Sequence, residues 1–407
     1  MYLIFAWRYF KAKKSANAIN LIAWVTVGVI TFAIACQILV LSVFNGFEGL
    51  VKSLYASFYA DIKIIPAKGK TFTLTPAQLI LLNRQPGVKA VSLIAEEKAL
   101  LQNGELQTIV YLKGVDEDYT KVTGVAEKTY LGKFNTGTTQ HPGLIVGSGV
   151  QNAAAIIVDA AFNASAVTLI LPKKGKVAIS DPMQSLSEGD AKATGVFAIQ
   201  QDFDSKYAIT NIGFVKQQMG FAANEFSAAE IKLSDNSNFT AIQSLLSSIL
   251  GTSYLVQTKY QQNTSLYSTM RFEKWFIYAV LTLILFIAAF NMVSALTMLV
   301  LEKQKDISVL QSMGANRSMV LKIFLSEGLL LAAIGAVSGT LLALLIAFLQ
   351  LKFKLIKLSG GSFLIDYFPV ELQLSDFLLV ASTIIIIAFL AAWFPARKAS
   401  KQLIELR

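Results

Sequence analysis

Four long apolar segments constrain this chain more than any other feature of its sequence. They cover residues 21–44, 275–300, 323–348 and 377–394. Each is long enough to cross about 30 Å of hydrocarbon as a helix that rises about 1.5 Å per residue. Hydrophobic residues make up 54% of the chain and charged residues only 15%, whereas about a quarter of the residues of a soluble protein are charged. The sequence therefore predicts an α-helical membrane protein with four transmembrane helices.

Residues 45–274 separate the first two apolar segments and contain no run long enough to span a membrane. Short β-branched stretches alternate there with turns, which predicts strands, and Pro76 opens one of three predicted helices. The predicted strands are residues 62–66, 88–93, 108–112, 144–146, 166–171, 194–199, 207–209 and 230–233, and the predicted helices are 75–83, 147–155 and 238–250. We expect an extracytoplasmic α+β domain between transmembrane helices 1 and 2, and an insertion near residues 114–143 suggests two subdomains.

The distribution of charge predicts the orientation in the membrane. The net charge is +10, but the large domain is nearly balanced, so the excess lies beside the apolar segments. Basic residues favour the cytoplasmic side, which places both chain ends there, including the tail 395–407, and places the large domain outside. Three lysines of the outer loop 349–376 go against this rule: Lys352, Lys354 and Lys357.

Residues 1–20 begin with an apolar and aromatic stretch that precedes several lysines. This pattern predicts a cytoplasmic interfacial helix, and a simple extension of the first span is the alternative. The apolar run that follows is long enough to span the membrane and has no small-residue cleavage site. A cleavable signal peptide is therefore not expected.

The residues required by several common kinds of site are absent from the sequence. Cys36 and His141 are the only cysteine and histidine, so no disulfide forms within the chain and no Cys/His metal site is expected. No Walker A, complete dinucleotide-binding or GxSxG motif is present. The large domain has no concentrated basic patch of the kind that would indicate binding to nucleic acid. An enzymatic role is not expected.

A charged and polar interruption, residues 301–322, separates the second and third apolar segments. Val309 and Met313 are four residues apart and Leu310 and Met313 three apart, so a helix would place them on one face. Gly314 is expected to end that helix in the left-handed conformation. From the residues alone, a short amphipathic helix that contacts a soluble partner and an ordinary cytoplasmic loop both remain possible.

Two features within the third apolar segment suggest roles in packing or function. Gly335 and Gly339 form a GxxxG pattern that lets a neighbouring helix approach closely, without specifying which one. Glu327 lies one turn into the segment, where a carboxylate is costly. A structural role near the start of the helix is one interpretation, and proton transfer is the other.

Several motifs resemble those of permeases in the LolC/LolE, MacB and FtsX superfamily. The stretch EKQKDISVLQSMGA at 302–315 resembles the loop that forms the coupling helix there, and LSVFNGFE at 41–48 resembles the signature at the exit of the first span. The words VYLKGVD at 110–116 and FPARKAS at 394–400 resemble further LolC/LolE motifs, although the last lacks an aromatic residue between Ala396 and Arg397. The resemblance covers nearly the whole chain.

The resemblance implies a permease subunit in the inner membrane of a Gram-negative bacterium. Such a complex joins two permease subunits, either a homodimer or a heterodimer, to LolD-like ABC ATPase subunits. It extracts lipoproteins from the membrane and passes them to a LolA-like periplasmic carrier. ATP and Mg are then expected in the partner ATPase, and no cofactor in this chain. The residues expected to couple to the ATPase are Lys303, Asp306, Val309, Leu310, Met313, Gly314 and Ala315.

Two further sites follow from this family assignment. An apolar substrate cavity is expected where facing copies of spans 1 and 2 meet at their outer ends, lined by Val40, Val43, Phe44, Phe47, Phe272, Phe276 and Ala279. The segment 171–195 occupies the place of a loop that hooks the carrier, with Pro172, Pro182 and Met183 as candidate residues. A solvated hairpin tip is the alternative for that segment. The choice between LolC-like and LolE-like roles matters here, because a LolE-type subunit would lack the hook.

Two other members of the superfamily suggest alternative functions. A MacB-like permease would act in export or mechanotransmission, but MacB carries its ATPase at the N-terminus, where this chain has about 20 residues before the first span. An FtsX-like permease would regulate cell-wall hydrolases, and its extracytoplasmic domain is smaller than residues 45–274.

Overall fold

The computed structural model describes residues 17–158, 164–175, 185–235, 237–358 and 367–401. These residues form two compact units. The helical unit comprises the described parts of Met1–Leu50, Ser268–Ser359 and Ile365–Arg407. The mixed unit comprises the described part of Val51–Tyr267.

The helices of the described residues are, in chain order, α1 (Asn17–Phe58), α2 (Pro76–Asn83), α3 (Tyr119–Val122), α4 (Ser148–Ala153), α5 (Gln201–Asp204), α6 (Ile212–Met219), α7 (Phe239–Leu250), α8 (Lys259–Gln262), α9 (Thr264–Glu302), α10 (Gln304–Ser312), α11 (Arg317–Phe353) and α12 (Leu374–Ser400). The strands are β1 (Ile62–Pro66), β2 (Phe72–Thr73), β3 (Val88–Asn103), β4 (Leu106–Val115), β5 (Thr129–Gly132), β6 (Gly143–Gly147), β7 (Ala166–Pro172), β8 (Leu186–Phe197), β9 (Tyr207–Asn211), β10 (Glu225–Phe226), β11 (Ala228–Leu233) and β12 (Tyr254–Thr258).

Four of the described helices, α1, α9, α11 and α12, are long and apolar enough to cross a membrane. The predicted fold class is confirmed, because the α+β domain lies between the first and second of these helices. Each predicted span lies inside a longer helix, since a helix satisfies its own backbone hydrogen bonds and need not end where the hydrocarbon ends. The predicted interfacial helix lies mostly outside the described residues.

The helical unit packs small residues of one helix against the backbone of another. A Cβ atom on Gly335 would lie 2.7 Å from Cγ2 of Ile30, and one on Gly339 would lie 2.6 Å from the carbonyl oxygen of Thr31. The Thr31 and Ser338 hydroxyls are 2.6 Å apart and hydrogen-bonded at the same crossing. The close approach predicted for the GxxxG pattern is therefore present, and its partner is α1.

The mixed unit is built on one large sheet. Among the described residues it has ten strands in the order β12-β1-β11-β3-β4-β9-β6-β8-β5, with β7 paired to β3 and β8. The apolar strand β6 is buried along its whole length, between β8 and β9. The sheet is continuous across the insertion near residues 114–143, because β4 reaches β6 through β9. Val51–Tyr267 is one compact unit, and a division of it into two subdomains stays a prediction.

Several elements of the mixed unit were missed in the sequence, among them α6 and β12. The side chain of Asn211 caps α6 by accepting a hydrogen bond of 2.8 Å from the Gly213 amide, and Gly220 ends this helix in the left-handed conformation. An asparagine before the helix and a glycine after it were the available signals. Strand β12 pairs with the whole length of β1, and its aromatic and β-branched residues were the corresponding signal.

Candidate functional sites

The helix α10 ends in a backbone motif that the sequence predicts. Gly314 has a φ of 95°, and its amide donates a hydrogen bond of 3.0 Å to the Gln311 carbonyl. The amide of Ala315 donates one of 2.9 Å to the Leu310 carbonyl. These two bonds form a Schellman motif, which satisfies carbonyls at the helix end. At the other end, Lys303 and Asp306 form an ion pair of 3.2 Å.

The two sides of α10 differ in burial. Ile307 is 3% exposed and belongs to a core with residues of the three adjoining spanning helices, including Leu299 of α9, Phe324 of α11 and Ala396 of α12. On other faces of the helix, Val309 is 59% exposed and Met313 is 80% exposed. The helix is therefore fixed to the bundle on one side and presents apolar side chains on the other. Its exposed side could bind the apolar surface of another protein.

A polar cluster joins three spanning helices in the helical unit. The side-chain amide of Asn45 in α1 donates a hydrogen bond of 2.6 Å to the Asp376 carboxylate at the start of α12. The ammonium of Lys274 in α9 donates a hydrogen bond of 2.8 Å to the side-chain oxygen of Asn45. The same ammonium forms an ion pair of 3.2 Å with the Asp376 carboxylate. Because Asn45 and Asp376 are both nearly inaccessible to solvent, their mutual hydrogen bond replaces hydration. This cluster gives a structural reason for the asparagine in the 41–48 motif.

The next residue of that motif allows close backbone contact. A Cβ atom on Gly46 would lie 2.5 Å from the carbonyl carbon of Pro369 in the loop before α12. The Glu371 amide donates a hydrogen bond of 2.9 Å to the Ser42 carbonyl in α1. The part of the loop that contains Pro369 and Glu371 therefore packs against α1 and is hydrogen-bonded to it. Sequence reasoning missed Lys274 and Asp376, and their charges beside two apolar segments were the available signal.

The residues predicted to line a substrate cavity occupy two different environments. Val40 and Val43 line a pocket whose other walls come from α11 and from the loop after it. Phe47 is half-buried and packs edge-on against Phe368, with ring centroids 5.7 Å apart. Phe272 and Phe276 stack on each other and are 71% and 61% exposed. Of the remaining two, Phe44 is half-buried and Ala279 is exposed. One copy of the chain does not bring these residues together, so the cavity between two copies stays a prediction.

The segment predicted to hook a carrier is the connection between β7 and β8. These strands pair up to Pro172 and Leu186, so the base of a hairpin is formed. Lys174 forms an ion pair with Glu225. Burial alone would raise the pKa of Glu225, but hydrogen bonds from Lys174 and Thr71 hold that pKa below its ordinary value. Pro182 and Met183 lie outside the described residues, and Pro172 is exposed.

A buried ion pair crosses the sheet of the mixed unit. The ammonium of Lys113 in β4 donates a hydrogen bond of 2.7 Å to Glu230 in β11, and both side chains are 2% exposed. The ammonium also lies 5.1 Å from the ring centroid of Phe58 and 4.9 Å from that of Tyr119. Burial alone would lower the pKa of Lys113, but the adjacent Glu230 carboxylate raises it above its ordinary value. Sequence reasoning did not single out this pair.

Glu327 is 2% exposed, one residue before Gly328, which packs against Ala392 of α12. Its burial between helices is compatible with both interpretations of this carboxylate. Among the described residues, no cluster of three or more His, Cys, Asp or Glu side chains could hold a metal ion.

Models of two protein families match this chain. The model described as MacB-like periplasmic core domain matches residues 23–248, which is more than half of the chain. The model described as FtsX-like permease C-terminal matches residues 278–404. Together they cover all of α10 and most of the mixed unit and of the four spanning helices.

Proteins similar to this chain cover nearly its full length. The lipoprotein-releasing system transmembrane protein LolC of Neisseria meningitidis serogroup B is 28% identical over 98% of this chain and 98% of its own length. LolE of Haemophilus influenzae is 26% identical over 97% of this chain and 96% of its own. LolC of Xylella fastidiosa is 24% identical over 97% of this chain and 95% of its own. The resemblance to LolC and LolE inferred from the motifs is confirmed.

One solved structure, the periplasmic region of MacB from Actinobacillus actinomycetemcomitans, covers 54% of this chain and 97% of that region, with a TM-score of 0.37 and 13% identity. A likeness this weak supports no inference. The family assignment depends instead on the matched models and on the full-length relatives. This chain belongs to the family of multi-pass membrane permeases in which an FtsX-like C-terminal domain is joined to a MacB-like periplasmic core domain.

Proposed function

We propose that this chain is a permease subunit of an ABC transporter that extracts lipoproteins from the inner membrane and passes them to a periplasmic carrier. The observation that carries the proposal is the match to LolC over 98% of both chains. A match of that extent includes every spanning helix, the mixed unit and α10, so it covers all the parts such a permease needs. The match to LolE has almost the same extent.

The energy source in this proposal is a separate LolD-like ATPase that binds ATP and Mg. The exposed side of α10 supports the proposal, because Val309 and Met313 present apolar surface beside charged residues. Ile307, on the buried side, would transmit movement of α10 to the ends of α9, α11 and α12. This chain then contributes coupling and substrate handling but no hydrolysis.

The thermodynamics of lipoprotein release require such an arrangement. Removing an acyl chain from a bilayer costs about 0.8 kcal/mol per CH2 group. Release of a lipid anchor into water is therefore prohibitive without an energy source and an apolar acceptor. We infer that a LolA-like carrier receives the anchor and that a second permease subunit completes the cavity.

Depletion of the chain in its own bacterium tests the transport function. Lipoproteins destined for the outer membrane should accumulate in the inner membrane, as measured by fractionation and immunoblotting. Restoring the wild-type chain should return them to the outer membrane. Unchanged lipoprotein localisation after depletion would contradict the proposal.

Replacing Met313 by Asp tests the coupling role of α10. The substitution puts a carboxylate into the proposed apolar contact, so the ATPase should no longer co-purify, while the amount of chain in the membrane should stay unchanged. Ser312→Asp adds the same charge at the preceding position, and Met313→Leu keeps the apolar contact. The ATPase should co-purify with both of these control variants. Normal co-purification of Met313→Asp would remove the coupling role of this side chain.

A further inference from the structure

An apolar pocket of about 390 Å³ lies in the helical unit. Its walls include Val40 and Val43 of α1, Ile346 and Gln350 of α11, and Ile356 and Phe368 of the loop that follows α11. These parts of α1 and α11 lie toward the predicted outer ends of both helices. The pocket is larger than a cavity of about 150 Å³, which holds benzene, and it lies within the usual range of about 300–1,000 Å³ for small-molecule sites.

The loop that closes the pocket is held in place by a buried side chain. Gln350 is 5% exposed. Its side-chain nitrogen donates hydrogen bonds of 3.0 Å to the Ile356 carbonyl and 3.1 Å to the Phe368 carbonyl. Its side-chain oxygen accepts one of 2.9 Å from the Ile356 amide. The Phe368 amide in turn donates a hydrogen bond of 3.1 Å to the Ile356 carbonyl. Ile356 and Phe368, one from each arm of the loop, are therefore held together over the pocket, and we call them its roof.

The chemistry of the walls favours hydrocarbon over water. Among the lining residues that the structure describes, Gln350 is the one with a polar side chain, and its amide group is occupied by the roof backbone. A buried water needs about two to four polar partners, which this lining does not offer. A pocket of this kind beside a bilayer is suited to an acyl chain.

Basic residues next to the roof indicate what the acyl chain is attached to. Lys352 and Lys354 follow Gln350 closely, Lys357 follows Ile356 directly, and all three are exposed. The ammonium of Lys354 lies 4.1 Å from the ring centroid of Tyr367 in the second arm of the loop. These are the lysines that contradict the positive-inside rule. A ligand with a phosphate group would explain why positive charge is kept at this end of the bundle.

We propose that this pocket and its lysines bind an anionic phospholipid, with one acyl chain between α1 and α11 and the phosphate at Lys354 and Lys357, which both lie next to Tyr367 in the second arm of the loop. The lipid packs under the roof and occupies space that the helices leave open. Val40 and Val43 line this pocket and are also predicted to line the cavity between two permease subunits, so the two sites share these residues. The inference does not depend on which substrate the transporter moves.

Photo-crosslinking of the purified full-length chain in phospholipid nanodiscs tests the site. Three probes carry the same diazirine-labelled acyl chain: phosphatidylglycerol, diacylglycerol and a diacylglyceryl-cysteine peptide. Ile346→Trp fills the pocket, whereas Leu345→Trp places the same ring on a neighbouring residue that does not line it. Val370→Trp fills the pocket from the loop and serves if the helix variant is unstable. Lys354→Gln with Lys357→Gln tests the phosphate contact, and Lys89→Gln with Lys133→Gln is its charge-matched control.

We expect phosphatidylglycerol to label peptides from the pocket walls, with a severalfold loss in Ile346→Trp and Val370→Trp and none in Leu345→Trp. The preference for phosphatidylglycerol over diacylglycerol should disappear in the Lys354/Lys357 variant and persist in its control. Equal labelling of the pocket-filling and control variants, or no preference for the phosphate-bearing probe, would overturn the proposal. Stronger labelling by the peptide would also overturn it, since the pocket would then hold a lipoprotein anchor. Lipoprotein localisation after depletion is measured separately, so either proposal can fail alone.

Discussion

The buried ammonium of Lys113 illustrates how one residue determines the stability of its surroundings. Two charges removed from water are tolerated because the pair is short and is bounded by aromatic rings. Removing Lys113 would leave the buried Glu230 carboxylate with a longer ion pair of 3.9 Å to Lys63, and losing the hydrogen-bonded partner costs more than the pair itself contributes. The consequence can be measured by comparing single and double substitutions.

Lys113→Met should destabilise the mixed unit by about 3–5 kcal/mol, because the buried carboxylate of Glu230 would lose its hydrogen-bonded ammonium and keep the longer contact with Lys63. Adding Glu230→Leu should recover most of that loss, since neither charge is then buried. Denaturant unfolding of the purified protein measures both effects. Lys121→Met is the control, because Lys121 makes a comparably short ion pair at the surface and should change stability little. A loss for Lys113→Met no larger than for Lys121→Met would contradict the argument.

The pair of Glu225 and Lys174 should give a pH-dependent contribution to stability. The folded-state pKa of Glu225 lies below its ordinary value of 4.5, so the contribution is complete above that value and is lost as pH falls through the lowered folded pKa. The difference in melting temperature between wild type and Glu225→Gln should therefore be constant at neutral pH, begin to shrink near pH 4.5 and disappear below the lowered folded pKa. Lys174→Met should give a similar loss at neutral pH. A difference that grows on acidification would contradict the assignment.

At the scale of elements, contact between α1 and α11 depends on the absence of side chains. Gly339→Val should push the helices apart, because its Cβ would lie 2.6 Å from the Thr31 carbonyl oxygen and 3.0 Å from Cβ of Ile34. We expect a loss of about 1–3 kcal/mol, seen as a lower melting temperature in detergent. Gly28→Ala is the control, since its Cβ would meet nothing within 4 Å. Equal melting temperatures for the two variants would contradict this packing.

The helix α10 has one face packed against the spanning helices and another that is exposed. Its Schellman motif fixes its length, and Ile307 fixes its rotation about its own axis. Val309 and Met313 remain exposed as a result. The proposed ATPase contact therefore follows from the same packing that attaches the helix to the bundle.

At the scale of the whole molecule, the predicted topology places α10 in the cytoplasm and the β3–β4 turn in the periplasm. In a Cys36→Ala background, Ser312→Cys should react with a membrane-impermeant maleimide only after cells are permeabilised, because it lies in α10. Glu105→Cys, in the exposed turn between β3 and β4, should react in cells whose outer membrane alone is opened. Gel-shift labelling measures both reactions. The reverse pattern would invert the topology and remove the proposed coupling role.

The sequence by itself determined the features that depend on local rules. Apolar runs of sufficient length predict spanning helices whatever their neighbours are, and glycine predicts the left-handed helix end at Gly314. Strand β1 is predicted with the observed bounds, since its β-branched pattern is local. Motif resemblance added the family, because it compares residues along the chain.

Only the tertiary structure decided which distant residues meet. Lys113 and Glu230 are 117 positions apart, and Asn45 and Asp376 are 331 apart, so no local pattern pairs them. The GxxxG pattern predicts a close approach, but the crossing with α1 determines which helix approaches. The pocket under the loop after α11 likewise requires two helices and both arms of the loop. Contacts of this kind depend on sheet register and helix packing, which arise only when the whole chain has folded.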